Sequence, residues 1–269
     1  MIRLFLADID GCLSEPYRPY DLASFARLRA WAQHAEADER WPRLGICSGR
    51  AYAYVEAVSQ ALGLRGPALF ESGGGRFDLP TASIAWNPAF SPEAERALDR
   101  VRAFFLQEVV AAAPGISLDY GKRAQAGIVS STEGACTPFL PAARAFVAGL
   151  REETGVDLQP YSTPWSIDVV PAALTKAQAI AWVAEEDGLR PGQIAFIGDS
   201  DGDIGAIRAA GMGFAPANAH PDVQAAADRV TAGALIAGVG EAYLACLEAN
   251  GVDPVGAVHA APGLFSTAS

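Results

Sequence analysis

Four short patterns in this 269-residue chain bring together acidic, hydroxyl and basic residue types that could react at one site. The first is an apolar run at positions 4–7 that ends in Asp8-Ile9-Asp10-Gly11. Side chains alternate along a strand, so Asp8 and Asp10 would share a face at its carboxyl end. Unpaired acids at the end of a buried strand are costly to desolvate, and a divalent cation would relieve that cost. The second pattern is Ser48, directly after the apolar run 44–47. The third is Lys176, in the first turn of a helical stretch, and the fourth is the acidic loop 198–203 after the apolar run 194–197.

Asp8 is a candidate nucleophile, because carboxylates form aspartyl-phosphate intermediates. Asp10 is a candidate general acid and base, giving a proton to the leaving oxygen and later taking one from water. Asp8 and Asp199, with backbone oxygens and water, suit Mg²⁺, which favours a few carboxylates plus phosphate and water. Asp10 and Asp203 complete the candidate metal set. Ser48 can hydrogen-bond a phosphoryl oxygen and Lys176 can place a point charge there. Metal and lysine together would offset the repulsion between an anionic nucleophile and an anionic substrate. Asp201 reads as a solvated carboxylate at a helix start. Lys122 and Arg123 lie in a turn: either both are solvated hairpin charges, or one reaches a substrate carboxylate or second phosphate. Arg50 either helps at the phosphate or pairs with a nearby acid. Asn218, Tyr161 and Trp165 either shape a pocket or pack.

Positioning these groups requires a sheet whose strands end at one edge. Apolar runs at 4–7, 44–47, 68–70 and 194–197 alternate with helical stretches at 22–35, through 62, and at 174–187. That spacing predicts right-handed crossovers and a parallel sheet, and ligands of such sheets bind at the carboxyl ends of the strands. The texture changes near residue 78. A helix over 92–113, strands over 116–120 and 124–130, a helix over 141–154 and strands over 156–160 and 166–170 predict a smaller unit with an antiparallel sheet. The expected organisation is α/β: a Rossmann-like core at 1–80 and 171–250, an inserted α+β unit at 81–170, and a tail at 251–269. A brief strand at 213–215, a short helix at 222–227, a strand fragment at 229–231 and a closing helix at 241–250 complete the core.

A formal charge of −11 argues against a general affinity for nucleic acid or anionic membranes. No apolar run approaches the ~20 residues that span a bilayer, and the first apolar run is too short for a signal peptide. Four dispersed cysteines predict free thiols in a reducing compartment. The expectation is a cytoplasmic protein acting on a small phosphorylated metabolite, with no nucleic-acid or membrane partner and an oligomeric state the sequence leaves open.

The four patterns resemble, in order, the motifs of the haloacid dehalogenase superfamily of phosphohydrolases. Asp8-Ile9-Asp10-Gly11 looks like its Asp-x-Asp-Gly motif. Ser48 in Cys47-Ser48-Gly49-Arg50 looks like the second, which adds Gly49 to the phosphate-binding set. Lys176 looks like the third, and Gly198-Asp199-Ser200-Asp201-Gly202-Asp203 looks like the fourth. The insertion between motifs two and three resembles the Cof-like subclass whose α/β cap covers the site. Stretches 66–74 and 216–219 resemble small archaeal-type phosphoglycolate phosphatases and sugar-phosphate phosphatases. Gly202 and Ser72 stand where that subclass often has Asn. An acid two residues after the nucleophile, as at Asp10, implies a phosphatase or phosphomutase. The resemblance therefore implies a Mg²⁺-dependent phosphomonoesterase. A phosphomutase using the same intermediate and a non-catalytic binder of phosphorylated metabolites are the alternatives.

Overall fold

The computed structural model describes residues 1–253, so the expected tail at 251–269 lies almost wholly outside the described residues. The chain runs β1 (Leu4–Ala7), α1 (Leu22–Gln33), β2 (Arg43–Cys47), α2 (Tyr52–Leu62), β3 (Ala68–Phe70), β4 (Gly75–Asp78) and β5 (Ser83–Trp86). Then come α3 (Pro92–Phe104), β6 (Ser117–Leu118), β7 (Ala126–Val129), α4 (Leu140–Thr154), β8 (Leu158–Ser162) and β9 (Ser166–Pro171). It closes with α5 (Lys176–Glu186), β10 (Ile194–Ile197), α6 (Ile204–Ala209), β11 (Met212–Ala215), α7 (Pro221–Ala226), β12 (Arg229–Val230) and α8 (Leu235–Ala249).

The large sheet has the order β12-β11-β10-β1-β2-β3-β4-β5. It is parallel from β12 to β3 and antiparallel at the β3–β4–β5 end. β1 and β10 are buried along their whole length, the mark of strands covered on both faces. The alternation of β1 separates two cores. Phe5 and Ala7 pack with Phe25, Leu28, Val55 and Tyr243 on the side of α1, α2 and α8. Leu4 and Leu6 pack with Ile180, Val183, Phe196 and Ile207 on the side of α5 and α6. This satisfies the expected doubly covered α/β core.

The inserted segment forms an antiparallel sheet of order β6-β7-β9-β8. α3 and α4 cover one face, with Leu98, Val101, Phe105, Ile128, Val147, Ile167 and Val169 as the shared core. Asp168 alternates with Ile167 and Val169, so it lies on the uncovered face.

Two boundaries differ from the sequence expectation. The large sheet does not stop at residue 80, because the hairpin β4–β5 carries it to Trp86. β5 is short and mostly exposed, with prolines at 80, 88 and 92 around it, so it lacks the apolar signature of a buried strand. The last helix begins at Leu235 rather than 241. Gly238 lies inside this helix, where an added Cβ would come within 2.5 Å of the Gly233 carbonyl oxygen. The glycine serves close packing, not helix termination. Among the described residues no helix is long and apolar enough to cross a membrane. All four cysteines are buried and unpaired.

Candidate active site

β1, β2 and β10 lie side by side and end together, in the register Ala7 opposite Ile46 and Ile197. The residue after each strand is therefore delivered to one edge: Asp8, Ser48 and, one further on, Asp199. Gly11 makes the turn after β1 with φ +73°, where a Cβ would come within 1.9 Å of an Asp199 carboxylate oxygen. Only glycine lets the loop after β1 pass that close to the loop after β10.

Lys176 is the first residue of α5, and the Thr175 side chain caps that helix. Its Nζ lies 2.7 Å from Asp8 Oδ2 and 2.6 Å from Asp203 Oδ1, and all three side chains are buried. Asp8 Oδ1 accepts from the Ile9 N–H at 2.7 Å. Asp203 Oδ2 accepts from the Ser200 N–H and hydroxyl at 3.0 and 2.7 Å, so both its oxygens are fixed. Oxygens of Asp8, Asp199 and Asp203 lie within 4.8 Å of one another. Three carboxylates against one ammonium leave two negative charges unbalanced when all are ionised. An all-oxygen donor set of that charge fits a hard divalent cation.

The electrostatics reflect this crowding. Burial pushes the Asp8 carboxyl up to about 6, and Lys176 is the main opposing influence. Burial, then the neighbouring Asp8 and Asp203, push Asp199 up to about 8. Burial disfavours the charge on Lys176, but Asp203 and Asp8 outweigh it and hold the ammonium well above the ordinary lysine range.

Asp10 stands apart from this cluster, which corrects its place in the metal set. Its two oxygens accept from Arg50 Nε and Nη2 at 2.6 and 2.7 Å. The Arg50 guanidinium also lies over the rings of Tyr17 and Tyr54, 5.6 and 4.9 Å from their centroids. Of the two sequence readings of Arg50, pairing with a nearby acid is the one seen. Ser48 is buried; its hydroxyl accepts from the Arg50 N–H at 3.4 Å, and Gly49 bridges the two.

A scan against family models matches residues 150–242 to the haloacid dehalogenase-like hydrolases. A phosphoglycolate phosphatase of Natronomonas pharaonis is 29% identical over 231 residues, spanning 86% of this chain and 92% of that protein. A phosphoglycolate phosphatase of Methanococcoides burtonii is 27% identical over 237 residues, 86% and 90% of the two chains. Among solved structures, Thermoplasma acidophilum 0175 superposes with a TM-score of 0.72 at 22% identity, covering 91% of this chain and 98% of that one. The chain is thus similar to the haloacid dehalogenase-like hydrolases in sequence over residues 150–242, and it shares its fold with solved structures over nearly its whole length. The Synechocystis sucrose-phosphatase, solved with sucrose and phosphate, has the same fold, with a TM-score of 0.66 at 19% identity over 92% and 99% of the chains.

The inserted layer meets the strand ends through its 119–125 turn. Gly121 lies against Ala51, where an added Cβ would come within 3.0 Å of the Ala51 side chain. Lys122 is buried, with Nζ 2.5 Å from Asp168 and 3.5 Å from Asp119. Burial opposes its charge, yet Asp168 and Asp119 raise its pKa, so it is a neutralised cation and not a free one. Arg123 pairs with Glu95 at 2.7 Å and lies over Trp86, 4.7 Å from the ring centroid. That occupation corrects the reading of Arg123 as a substrate residue. Asn218 is likewise occupied by backbone: its Nδ2 donates to the Gly11 carbonyl at 2.9 Å and its Oδ1 accepts from Leu235 N–H at 2.8 Å. It braces the turn after β1. Asp201 is exposed, matching the expected solvated role.

Glu71 was not among the sequence candidates. It is 1% exposed at the end of β3, and its carboxylate accepts from the N–H groups of Arg123 and Ala124. Its signal is the one that marks Asp8, an acid ending an apolar strand.

Proposed function

We propose that this hydrolase is a Mg²⁺-dependent phosphomonoesterase acting on a small phosphorylated metabolite, with the inserted layer as a cap over the site. The observation that carries the reading is Asp8: a buried carboxylate held by Lys176, beside Asp199 and Asp203. The names of the similar proteins point to phosphoglycolate or a sugar phosphate as the substrate.

Asp8 attacks phosphorus, the bond from phosphorus to the leaving oxygen breaks, and an aspartyl-phosphate forms. Asp10 gives a proton to that oxygen, then takes one from the water that attacks the aspartyl-phosphate and releases phosphate. Both Asp10 oxygens are occupied by Arg50, so that pair must open before Asp10 can meet the leaving oxygen, and the incoming phosphate is the anion that can take Arg50. Ser48 and Gly49 offer the phosphoryl group a hydroxyl and a backbone N–H, while Lys176 keeps Asp8 from repelling it. Asp8, Asp199 and Asp203 would hold the Mg²⁺, which lowers the charge that the substrate presents to Asp8.

A panel of phosphorylated metabolites, assayed for free phosphate with Mg²⁺ and with chelator, tests this. Metal-dependent release that disappears in Asp8→Asn is the expected result. Isomerised sugar phosphate without net phosphate release would replace the phosphatase with a mutase.

A further inference from the structure

The loop after β3 touches both halves of the molecule. On the core side, the Glu71 N–H donates to the Arg50 carbonyl at 2.9 Å, and the Ser72 N–H donates to the Ser48 carbonyl at 2.9 Å. On the other side, the Glu71 carboxylate receives the N–H groups of Arg123 and Ala124, and the Ser72 hydroxyl receives the Gln125 amide at 2.9 Å. Glu71 and Ser72 hold φ at +51° and +58°, a conformation that side chains rarely adopt. Local strain of this kind persists only where surrounding contacts fix it, and it gathers at functional sites.

The same loop marks where the chain crosses between layers. Asn87, just after β5, donates its backbone N–H to the Gly74 carbonyl and its Nδ2 to the Gly73 carbonyl. Ala124 packs with Val170 and Leu174 from the returning crossing, and with Trp86 and Phe90 from the outgoing one. Arg102 on α3 completes the grip, donating to the carbonyls of Lys122, Arg123 and Gln125. The carbonyls of the turn are thus held from within the cap, and two of its N–H groups are held by one carboxylate of the core. By contrast, Tyr17 and Trp165 meet across the layers only edge to face, and Tyr17 is half exposed.

We infer that Glu71 is a positioning residue of this hydrolase: its carboxylate fixes the 122–125 turn of the cap to the loop that braces Ser48 and Arg50, and so sets where the cap sits over the phosphate site. The role rests on the phosphatase reading only for its effect on catalysis; the mechanical coupling stands without it.

The latch has a direction in pH. Burial pushes the Glu71 carboxyl up to about 7, against the two N–H donors and the charges of Lys122 and Arg102. Arg123 is the remaining cation beside it. A carboxyl whose pKa is raised by docking binds its proton more tightly docked than free. Docking is therefore strongest at low pH and weakens as pH rises through about 7. Both N–H groups point at the same oxygen, Oε2. Glu71→Gln can thus keep both bonds through its amide carbonyl while losing the charge, whereas Glu71→Ala leaves two N–H groups without a partner.

Amide hydrogen exchange of the 119–128 segment, followed from pH 5 to pH 8 in the full chain, tests the latch. After correction for intrinsic exchange chemistry, wild-type protection falls as pH rises. Glu71→Gln retains protection and flattens that slope, and Glu71→Ala exchanges about tenfold faster or more, as a locally opened segment does. A Glu71→Ala turn as protected as wild type, or a Glu71→Gln slope equal to wild type, overturns the proposal. If the alanine variant does not fold, the glutamine slope decides alone. With p-nitrophenyl phosphate and Mg²⁺, the ratio of the Glu71→Gln KM to the wild-type KM changes across the pH range, while the ratio of their kcat values stays level. A wild-type protein that leaves p-nitrophenyl phosphate intact counts against the phosphatase reading, while the exchange result still judges the latch.

Discussion

The strand-end cluster and the underside of the inserted sheet use charge in opposite ways. At the strand ends, Asp8, Asp199 and Asp203 crowd around a single Lys176, so negative charge is left over and two carboxyls are pushed upward. On the inserted sheet, Lys122 is matched by Asp168 and Asp119 and Arg123 by Glu95, so no cation there is left over among the groups around the 119–125 turn. The first arrangement is held by four rigid strand and helix ends; the second sits on a turn. Under the proposed function, the negative charge left over at the strand ends is what a divalent cation would relieve, and that cation would in turn admit an anionic phosphate. On the same reading, the balanced inserted sheet would choose the substrate by shape and hydrogen bonding.

The widest test of that contrast is Asp8→Asn. It removes the proposed nucleophile while keeping its shape, and turnover should fall by roughly 10⁴-fold or more, as it does when a nucleophile is lost. Circular dichroism should be unchanged. Appreciable residual turnover would collapse the distinction between the two regions.

Lys176→Met comes next. Asp8 and Asp203 then lose their buried counter-charge, and breaking such a pair costs about 3–5 kcal/mol. Urea melts in chelator should show that loss, and Mg²⁺ should restore part of it.

The leftover charge also has a pH signature. Asp8 and Asp199 carry raised pKa values of about 6 and about 8. Groups raised by folding stabilise the fold at low pH and lose that contribution as pH climbs through those values. Without metal, the melting temperature should decline between pH 5 and pH 9. Saturating Mg²⁺ should abolish the decline, because its ligands must be deprotonated. A decline that Mg²⁺ leaves intact would remove the metal from the cluster.

The smallest effect belongs to the inserted sheet. Asp168→Asn leaves Lys122 with only the longer contact to Asp119. KM for a phosphate that also carries a carboxylate should fall by up to about tenfold, equivalent to ~1.4 kcal/mol. KM for a neutral sugar phosphate should move less. Equal shifts for the two would mean that Lys122 plays no part in choosing between them.

The strand ends were legible in the sequence because each is a short apolar run ended by an acid or hydroxyl, a pattern that has few physical explanations. Asp8, Ser48, Lys176, Asp199 and Asp203 converge as that pattern implies. Glu71 carries the same signal, but its run is only three residues long and its partners are backbone N–H groups 52 and 53 positions away. The fate of the inserted charges was not legible for a related reason. Lys122 meets Asp168 only because β7 and β9 pair in a register that sets Asp168 opposite Gly127, which has no side chain in the way. The β4–β5 hairpin leaves little trace in the sequence because an edge hairpin needs no apolar run to form.

The central position of β1 has a consequence for how the molecule is made. Its neighbours are β2, about 40 residues away, and β10, about 190 residues away, with the whole inserted layer synthesised in between. A nascent chain therefore carries β1 with one open edge until β10 emerges. Such long-range pairing slows folding. The inserted layer, with its local antiparallel pairs and its own core, can form before the parallel sheet closes around the site.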